Sequence, residues 1–196
     1  ANLNQALDLG LVDHWTHNPE EAASAGDIVV LATPISTVIS LMPLMERALR
    51  PSAVLTDVSS VKRSVVQAAR SSLEGKFSRF VPGHPVAGSE QSGASAAKAD
   101  LFHNHWVILS PLADTDEDAV DLVTDMWAAA GARTRLMGES LHDQVLGMIS
   151  HLPHVVAYAL MPLLDTQTAR DDCMTLAAGG FYDISRIASS DPVMWR

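Results

Sequence analysis

The chain of 196 residues has a single cysteine, Cys173. One thiol excludes an internal disulfide and suits a reducing compartment. Aromatic residues amount to 5% and charged residues to 18%, yet hydrophobic residues reach 47%. That much apolar material excludes a disordered chain. Basic residues are scarce: 13 Lys and Arg stand against 23 Asp and Glu, a net charge of −10. Nucleic-acid binding needs a basic stripe, and the densest charge run here, Asp114 to Asp125, is acidic. No apolar stretch approaches the roughly 18–20 residues of a membrane span. No charged-then-apolar signal peptide opens the chain. The expectation is a soluble, cytoplasmic protein with neither nucleic acid nor membrane as a partner. No GxGxxG turn occurs among the 11 glycines. Either this is not a dinucleotide-binding domain, or its first βαβ segment lies outside these residues.

What is there alternates. Asn2–Leu11 and Pro19–Ser24 read as short helices. Asp27-Ile-Val-Val-Leu-Ala-Thr-Pro34 is a short apolar run ended by proline, the pattern of a parallel strand buried on both faces. A helix follows over Ile35–Arg50, then a second buried strand over Ala53–Val58. Ser59 or Ser60 has the chemistry of an N-cap for a helix over Val61–Leu73. Phe80-Val81-Pro82 and Trp106–Leu109 predict two further strands. Asp116–Ala130 is an amphipathic helix ending at Gly131, and Arg133–Met137 is a last strand. Strand–helix alternation with short links means βαβ units and a mainly parallel sheet, a Rossmann-type α/β fold. After Gly138 the strand pattern stops, and Glu139–Gln167 is helical in composition despite Pro153 and Pro162. The expected division is a dinucleotide-binding domain over 1–138 and an all-helical domain over 139–196.

Ligands bind parallel sheets at the C-terminal ends of the strands, and the unusual residues cluster there. Gly83-His84-Pro85-Val86-Ala87-Gly88-Ser89-Glu90-Gln91-Ser92-Gly93 is the richest segment. A histidine just past a strand end suits proton acceptance near neutral pH, and reads equally as a loop histidine without a role. Asp57-Val58-Ser59-Ser60-Val61-Lys62 is a strand-to-helix turn whose amides suit an anion, or simply an N-cap. Ser150, His151 and His154 share a helix face by spacing. No carboxylate or cysteine stands at ligand spacing beside them, so a cleft-facing role is expected rather than a metal. Asp183 and Arg186 suit a local helix-face pair, or, for Arg186, a bidentate grip on a carboxylate.

Taken in order, these segments resemble the prephenate and arogenate dehydrogenases of tyrosine biosynthesis. The resemblance rests on Asp27-Ile-Val-Val-Leu-Ala-Thr-Pro34, Asp57-x-x-Ser60-x-Lys62, Gly83-His-Pro-x-Ala-Gly-Ser-Glu-x-Ser-Gly93, Leu101-Phe102, His142-Asp143, Ser150-His-Leu-Pro-His154 and Gly179-Gly-Phe-x-Asp-x-x-Arg186-Ile-Ala, running to Met194-Trp195. It implies a Rossmann-type domain followed by a helical domain that forms a homodimer. The implied reaction is oxidative decarboxylation of prephenate to 4-hydroxyphenylpyruvate, with hydride passing to NAD. Arogenate, or both substrates, is the alternative, and NADP is possible in place of NAD. The resemblance implies His84 as hydrogen-bond acceptor or base at the substrate hydroxyl, with Ser60 orienting His84, the hydroxyl or the nicotinamide. It implies Arg186 as carboxylate clamp, and His151, His154, Gly179 and Trp195 as substrate-pocket residues. Glu90 and Asp183 are implied as gating ion-pair residues, and Thr33 and Pro34 as cofactor contacts. The family's first strand and glycine-rich turn would precede Ala1, and its helical domain would continue past Arg196. The chain is therefore expected to be a fragment whose own activity is in doubt, or a non-catalytic interaction module. A β-hydroxyacid dehydrogenase would place a catalytic lysine in the helical part, and Glu139–Gln167 contains none.

Overall fold

In the computed structural model, residues 2–88 and 93–189 are described. They form two compact units, 1–143 and 144–196.

The first unit opens with α1 (Asn2–Asp8) and α2 (Pro19–Ala25). The Asn18 side chain caps α2 by accepting from the amides of Glu20 and Glu21, and Pro19 fits the first turn, which needs no donor there. The chain then builds β1 (Ile28–Leu31), α3 (Ile35–Ala48), β2 (Val54–Asp57), α4 (Arg63–Ser72) and β3 (Phe80–Val81). These three strands pair in parallel in the order β1-β2-β3. Pro82 has no N–H to give to a ladder and interrupts the extended chain there. The next residues, β4 (Gly83–Pro85), pair antiparallel with β5 (Trp106–Leu109). After α5 (Glu117–Ala129), β6 (Arg133–Leu136) joins β5 in parallel. Gly131 ends α5 with φ +77°, and a Cβ there would sit 2.7 Å from the His103 ring. Glycine alone adopts that backbone without strain.

Helices cover both faces. On one, Val38, Met42 and Met45 of α3 and Val65 and Ala69 of α4 pack against Leu31, Leu55 and Phe80. On the other, Ala119, Val123 and Trp127 of α5 pack against Val54, Val81, Val107 and Leu109. Adjacent residues Val54 and Leu55 face opposite cores, as the two-residue strand period requires. This is the expected Rossmann-type architecture. β1 departs from the reading of a strand buried on both faces: Val30 is 40% exposed, whereas all four residues of β2 are buried.

Three further expectations are corrected. Neither Ser59 nor Ser60 caps α4: the helix begins at Arg63, with Lys62 at its N-cap and no side-chain cap from its own turn. Asp143, 81 and 80 residues further on, accepts from the amides of Lys62 and Arg63 instead. His84 lies inside β4 rather than in a loop, because its neighbours pair with β5. The third concerns length. Glu139–Asp165 is one helical run of 27 residues with a mean hydropathy of 1.3 in its most apolar window. By length and composition alone it could cross a membrane, as core helices of soluble proteins also could. The polar residues that break its apolar runs lower its mean hydropathy less than they interrupt its sequence pattern.

That run comprises α6 (Glu139–Leu146), a π-helical turn over Gly147–His151 and α7 (Leu152–Asp165). The second unit continues with α8 (Arg170–Thr175) and α9 (Gly179–Ile187), and α9 packs along α7.

Candidate active site

The C-terminal end of β2 carries Asp57, which is fully buried. Its carboxylate accepts from the Ser59 amide (2.9 Å), the Gly83 amide (3.1 Å) and Lys62 Nζ (2.6 Å). The Lys62 side chain is also fully buried, and Nζ donates a second hydrogen bond to the Gly83 carbonyl. Burial pushes the Lys62 ammonium below its ordinary pKa, although Asp57 and Asp143 pull the other way. Asp57 and Lys62 thus grip Gly83 at both backbone atoms, immediately before His84. The grip is close: a Cβ on Gly83 would lie 2.8 Å from the Asp57 carbonyl oxygen.

His84 is 8% exposed. Across the ladder it faces Ile108, and its Nδ1 lies 2.8 Å from Nε2 of His142. The two rings meet edge to face at 5.0 Å. His142, on α6, is fully buried, and its Nδ1 lies 2.8 Å from Asp143 Oδ1. Burial would raise the Asp143 pKa, but the amides of Arg63 and Lys62 and the His142 hydrogen bond outweigh it and hold the carboxyl below its ordinary value. The result is a continuous chain from a capped helix N-terminus through Asp143 and His142 to His84. Of its members, the sequence reading gave a role only to His84. His142, Asp143, Asp57 and Lys62 stood in the motifs without one. Asp57 and Lys62 had a signal, two opposite charges at the end of an apolar strand; His142 and Asp143 had none.

The other candidates divide by unit. Ser60 is half-buried in the β2–α4 turn. Thr33 and Pro34 are exposed where β1 ends and α3 begins. In the second unit, His151 closes the π-helical turn, so the α-helical spacing assumed for Ser150, His151 and His154 does not hold through it. His154 Nδ1 bonds the Ser150 carbonyl at 2.9 Å. Gly179 opens α9, and Asp183 and Arg186 lie exposed one turn apart on it. A Cβ on Gly179 or Gly180 would meet nothing within 4 Å. Glu90 and Trp195 lie outside the described residues. The shallow depression lined by Asn18, Glu20, Glu21, Ser24, Arg47 and Ala48 sits where α3 ends, at the opposite end of that helix from Thr33 and Pro34.

Comparison with known proteins also divides the chain in two, a few residues earlier. Residues 1–136 match the nucleotide-binding domain of prephenate dehydrogenase, and residues 139–196 match the prephenate dehydrogenase dimerization domain. The chain is 37% identical over 194 residues to a cyclohexadienyl dehydrogenase of Zymomonas mobilis, covering 98% of this chain and 65% of that protein. It is 38% identical over 197 residues to a prephenate dehydrogenase of Bacillus subtilis, covering 97% and 52%. It therefore spans between about half and two thirds of the length of these curated relatives. Among solved structures it is similar to the Aquifex aeolicus prephenate dehydrogenase in complex with hydroxyphenyl propionate and NAD+ (TM-score 0.90, 37% identity, 99% of this chain and 68% of that one). It is also similar to the Synechocystis arogenate dehydrogenase (TM-score 0.80, 28% identity, 98% and 69%). With both domain profiles matched in order along nearly its whole length, the chain belongs to the prephenate dehydrogenase family.

Proposed function

We propose that the protein carrying this chain converts prephenate to 4-hydroxyphenylpyruvate by oxidative decarboxylation with NAD, a step of tyrosine biosynthesis. The observation that carries the reading is His84. It is a buried imidazole, held by a hydrogen-bond chain beside the C-terminal end of a parallel sheet in a family of dehydrogenases.

The reaction needs little beyond alignment and proton handling, because the product ring is aromatic. NAD, when bound, accepts the hydride from C4 of the substrate ring. The exposed Thr33–Pro34 ledge at the start of α3 fits a nucleotide, since a helix N-terminus at a strand end offers open amides. As the C4 hydroxyl becomes carbonyl-like, His84 accepts its hydrogen bond or proton. As the ring carboxylate leaves as CO2, its bonding pair aromatises the ring, and the proton returns to the phenol oxygen. Ser60, in the turn that precedes Lys62, is assigned to the hydroxyl or the nicotinamide. Arg186 is assigned to the side-chain carboxylate, where a planar guanidinium makes two parallel hydrogen bonds. His151, His154 and Gly179 are assigned to substrate binding. Glu90 and Asp183 are assigned to gating ion pairs and Trp195 to the pocket, on family resemblance alone. The exposed apolar residues of α7 support a homodimer through the dimerization domain. A cytoplasmic location fits the lone, exposed Cys173.

The test offers prephenate and arogenate, each with NAD and with NADP, to the full-length protein and follows reduced cofactor by absorbance. Turnover of prephenate with NAD is expected. Replacing His84 with Asn is expected to lower kcat by about 100- to 10,000-fold with KM little changed; full turnover in that variant removes His84 from the reaction. Replacing Arg186 with Gln is expected to raise KM about tenfold or more, the worth of a charge-assisted hydrogen bond. An unchanged KM assigns the carboxylate elsewhere. Turnover of arogenate alone replaces the substrate assignment, and turnover of neither overturns the reading.

A further inference from the structure

His142 and Asp143 have no part in the reaction as set out above, yet they are built into its base. The logic of their hydrogen bonds starts at Asp143. Its Oδ1 accepts from the Lys62 amide at 2.7 Å, and Oδ2 accepts from the Arg63 amide at 3.0 Å. A carboxylate so engaged is ionised and acts only as an acceptor. His142 Nδ1, 2.8 Å from Asp143 Oδ1, must then be the donor. In a neutral imidazole the other nitrogen is an acceptor, so His142 Nε2 accepts a hydrogen bond from its neighbour at 2.8 Å, His84 Nδ1. His142 is fully buried, which leaves no water to compete for either nitrogen.

We infer that Asp143 and His142 are positioning residues that hold His84 in the tautomer with its proton on Nδ1, so that Nε2 presents the lone pair toward the substrate hydroxyl. The inference rests on the proposed reaction for its purpose, though not for its geometry. The same chain serves after the proton has moved. With protons on both nitrogens, His84 still donates from Nδ1, and the Asp143 carboxylate at the far end balances the new charge. Among the described residues, four titratable groups are placed by their hydrogen bonds around His84. Asp57 on β2 and Lys62 before α4 grip the preceding residue. His142 and Asp143 stand on α6. β5 presents Ile108, which does not titrate.

Nitrogen NMR of the histidine-labelled full-length protein above neutral pH reads the tautomer directly. In the wild type, His84 Nδ1 is expected to be protonated and Nε2 unprotonated. Replacing His142 with Phe keeps a ring but removes the acceptor. His84 is then expected to populate both tautomers, and kcat to fall about 10- to 100-fold with KM little changed. Replacing His142 with Gln, whose carbonyl can accept, is expected to restore the tautomer and part of kcat, which a purely structural loss would not do. An active wild type whose His84 carries its proton on Nε2 overturns the inference, as does an unaltered tautomer in the folded His142→Phe variant. A wild type with the expected tautomer but no turnover overturns the reaction and leaves the tautomer assignment standing.

Discussion

Lys62 and Asp57 form a charge pair in which both side chains are fully buried. Such a pair adds little net stability over apolar residues of the same shape, but breaking it is expensive, because one charge stays behind without its partner. Replacing Lys62 with Met is therefore expected to destabilise the protein by about 3–5 kcal/mol, measured by urea unfolding. The double variant Asp57→Asn with Lys62→Met should recover part of that loss, since the remaining amide is neutral and still accepts from Gly83. A double variant as unstable as the single one would mean that the lysine acts through packing and not charge. Asp143 makes a pH-dependent contribution of known sign. Its folded pKa lies below the ordinary 3.8, so its stabilisation is complete well above that value and is lost as pH falls through the folded pKa. Replacing Asp143 with Ala is expected to cost about 1–2 kcal/mol near neutral pH, the worth of an N-cap. The gap between variant and wild type should close in acid. A gap that persists there would assign the loss to something other than the carboxylate.

At the level of elements, β4 is where local sequence and tertiary structure part. Gly83 and Pro85 flank His84 and read as a loop, yet the segment pairs with β5 residue by residue. Pairing of that kind depends on residues some two dozen positions away and leaves no local trace. The elements that local sequence did reveal are those with local causes. β2 opens on an apolar pair after a turn, α2 follows an Asn-Pro cap, and α5 stops at a glycine with positive φ. The start of α4 departs from the sequence expectation because its cap comes from Asp143 on another helix, while two serines stand where a local cap would be. The π-helical turn likewise broke a spacing argument that assumed 3.6 residues per turn. For the site, the sequence singled out His84, the residue proposed as the base, and gave no role to those that hold it. His142 and Asp143 acquire their meaning only from what they touch. Gly83 tests whether β4 tolerates displacement. A Cβ there meets the Asp57 carbonyl at 2.8 Å and Thr56 Oγ1 at 3.2 Å, and backbone cannot rotate away as a side chain can. Replacing Gly83 with Ala is expected to destabilise by about 1–3 kcal/mol and to lower kcat, because His84 moves with its neighbour. Unchanged kcat in a measurably destabilised variant would show that the ring is held independently of the strand.

For the whole molecule, the second unit poses the larger physical question. Met148, Ile149, Val155, Val156 and Leu163 are each more than half exposed, and among the described hydrophobic residues of that unit only Leu146 and Ala157 are buried. Exposed apolar residues in this number along one helical run point to an interaction site. Two occupants fit a 27-residue apolar helix: lipid, or a second copy of the chain. The dimerization-domain match favours the second copy. So does the polar content of the helix, since Glu139, His142 and Asp143 at one end are engaged in the protein's own hydrogen-bond network or lie beside it. Charges within a lipid-facing helix would carry a substantial penalty. Two copies at −10 each repel one another, so an apolar dimer contact works against the net field, and salt screens that repulsion within about 8 Å at physiological strength. The dimer is therefore expected to tighten as salt rises, the reverse of an interface held by ion pairs. Replacing Val156 with Asp should bury a charge on each side of the contact and weaken the dimer about 100-fold or more. Light scattering on a sizing column should then show the mass of the full-length protein halve, with the circular dichroism of the folded monomer retained. A variant that keeps the dimer mass would place the contact on another face, and a wild type that sediments with membranes would give the helix to lipid instead.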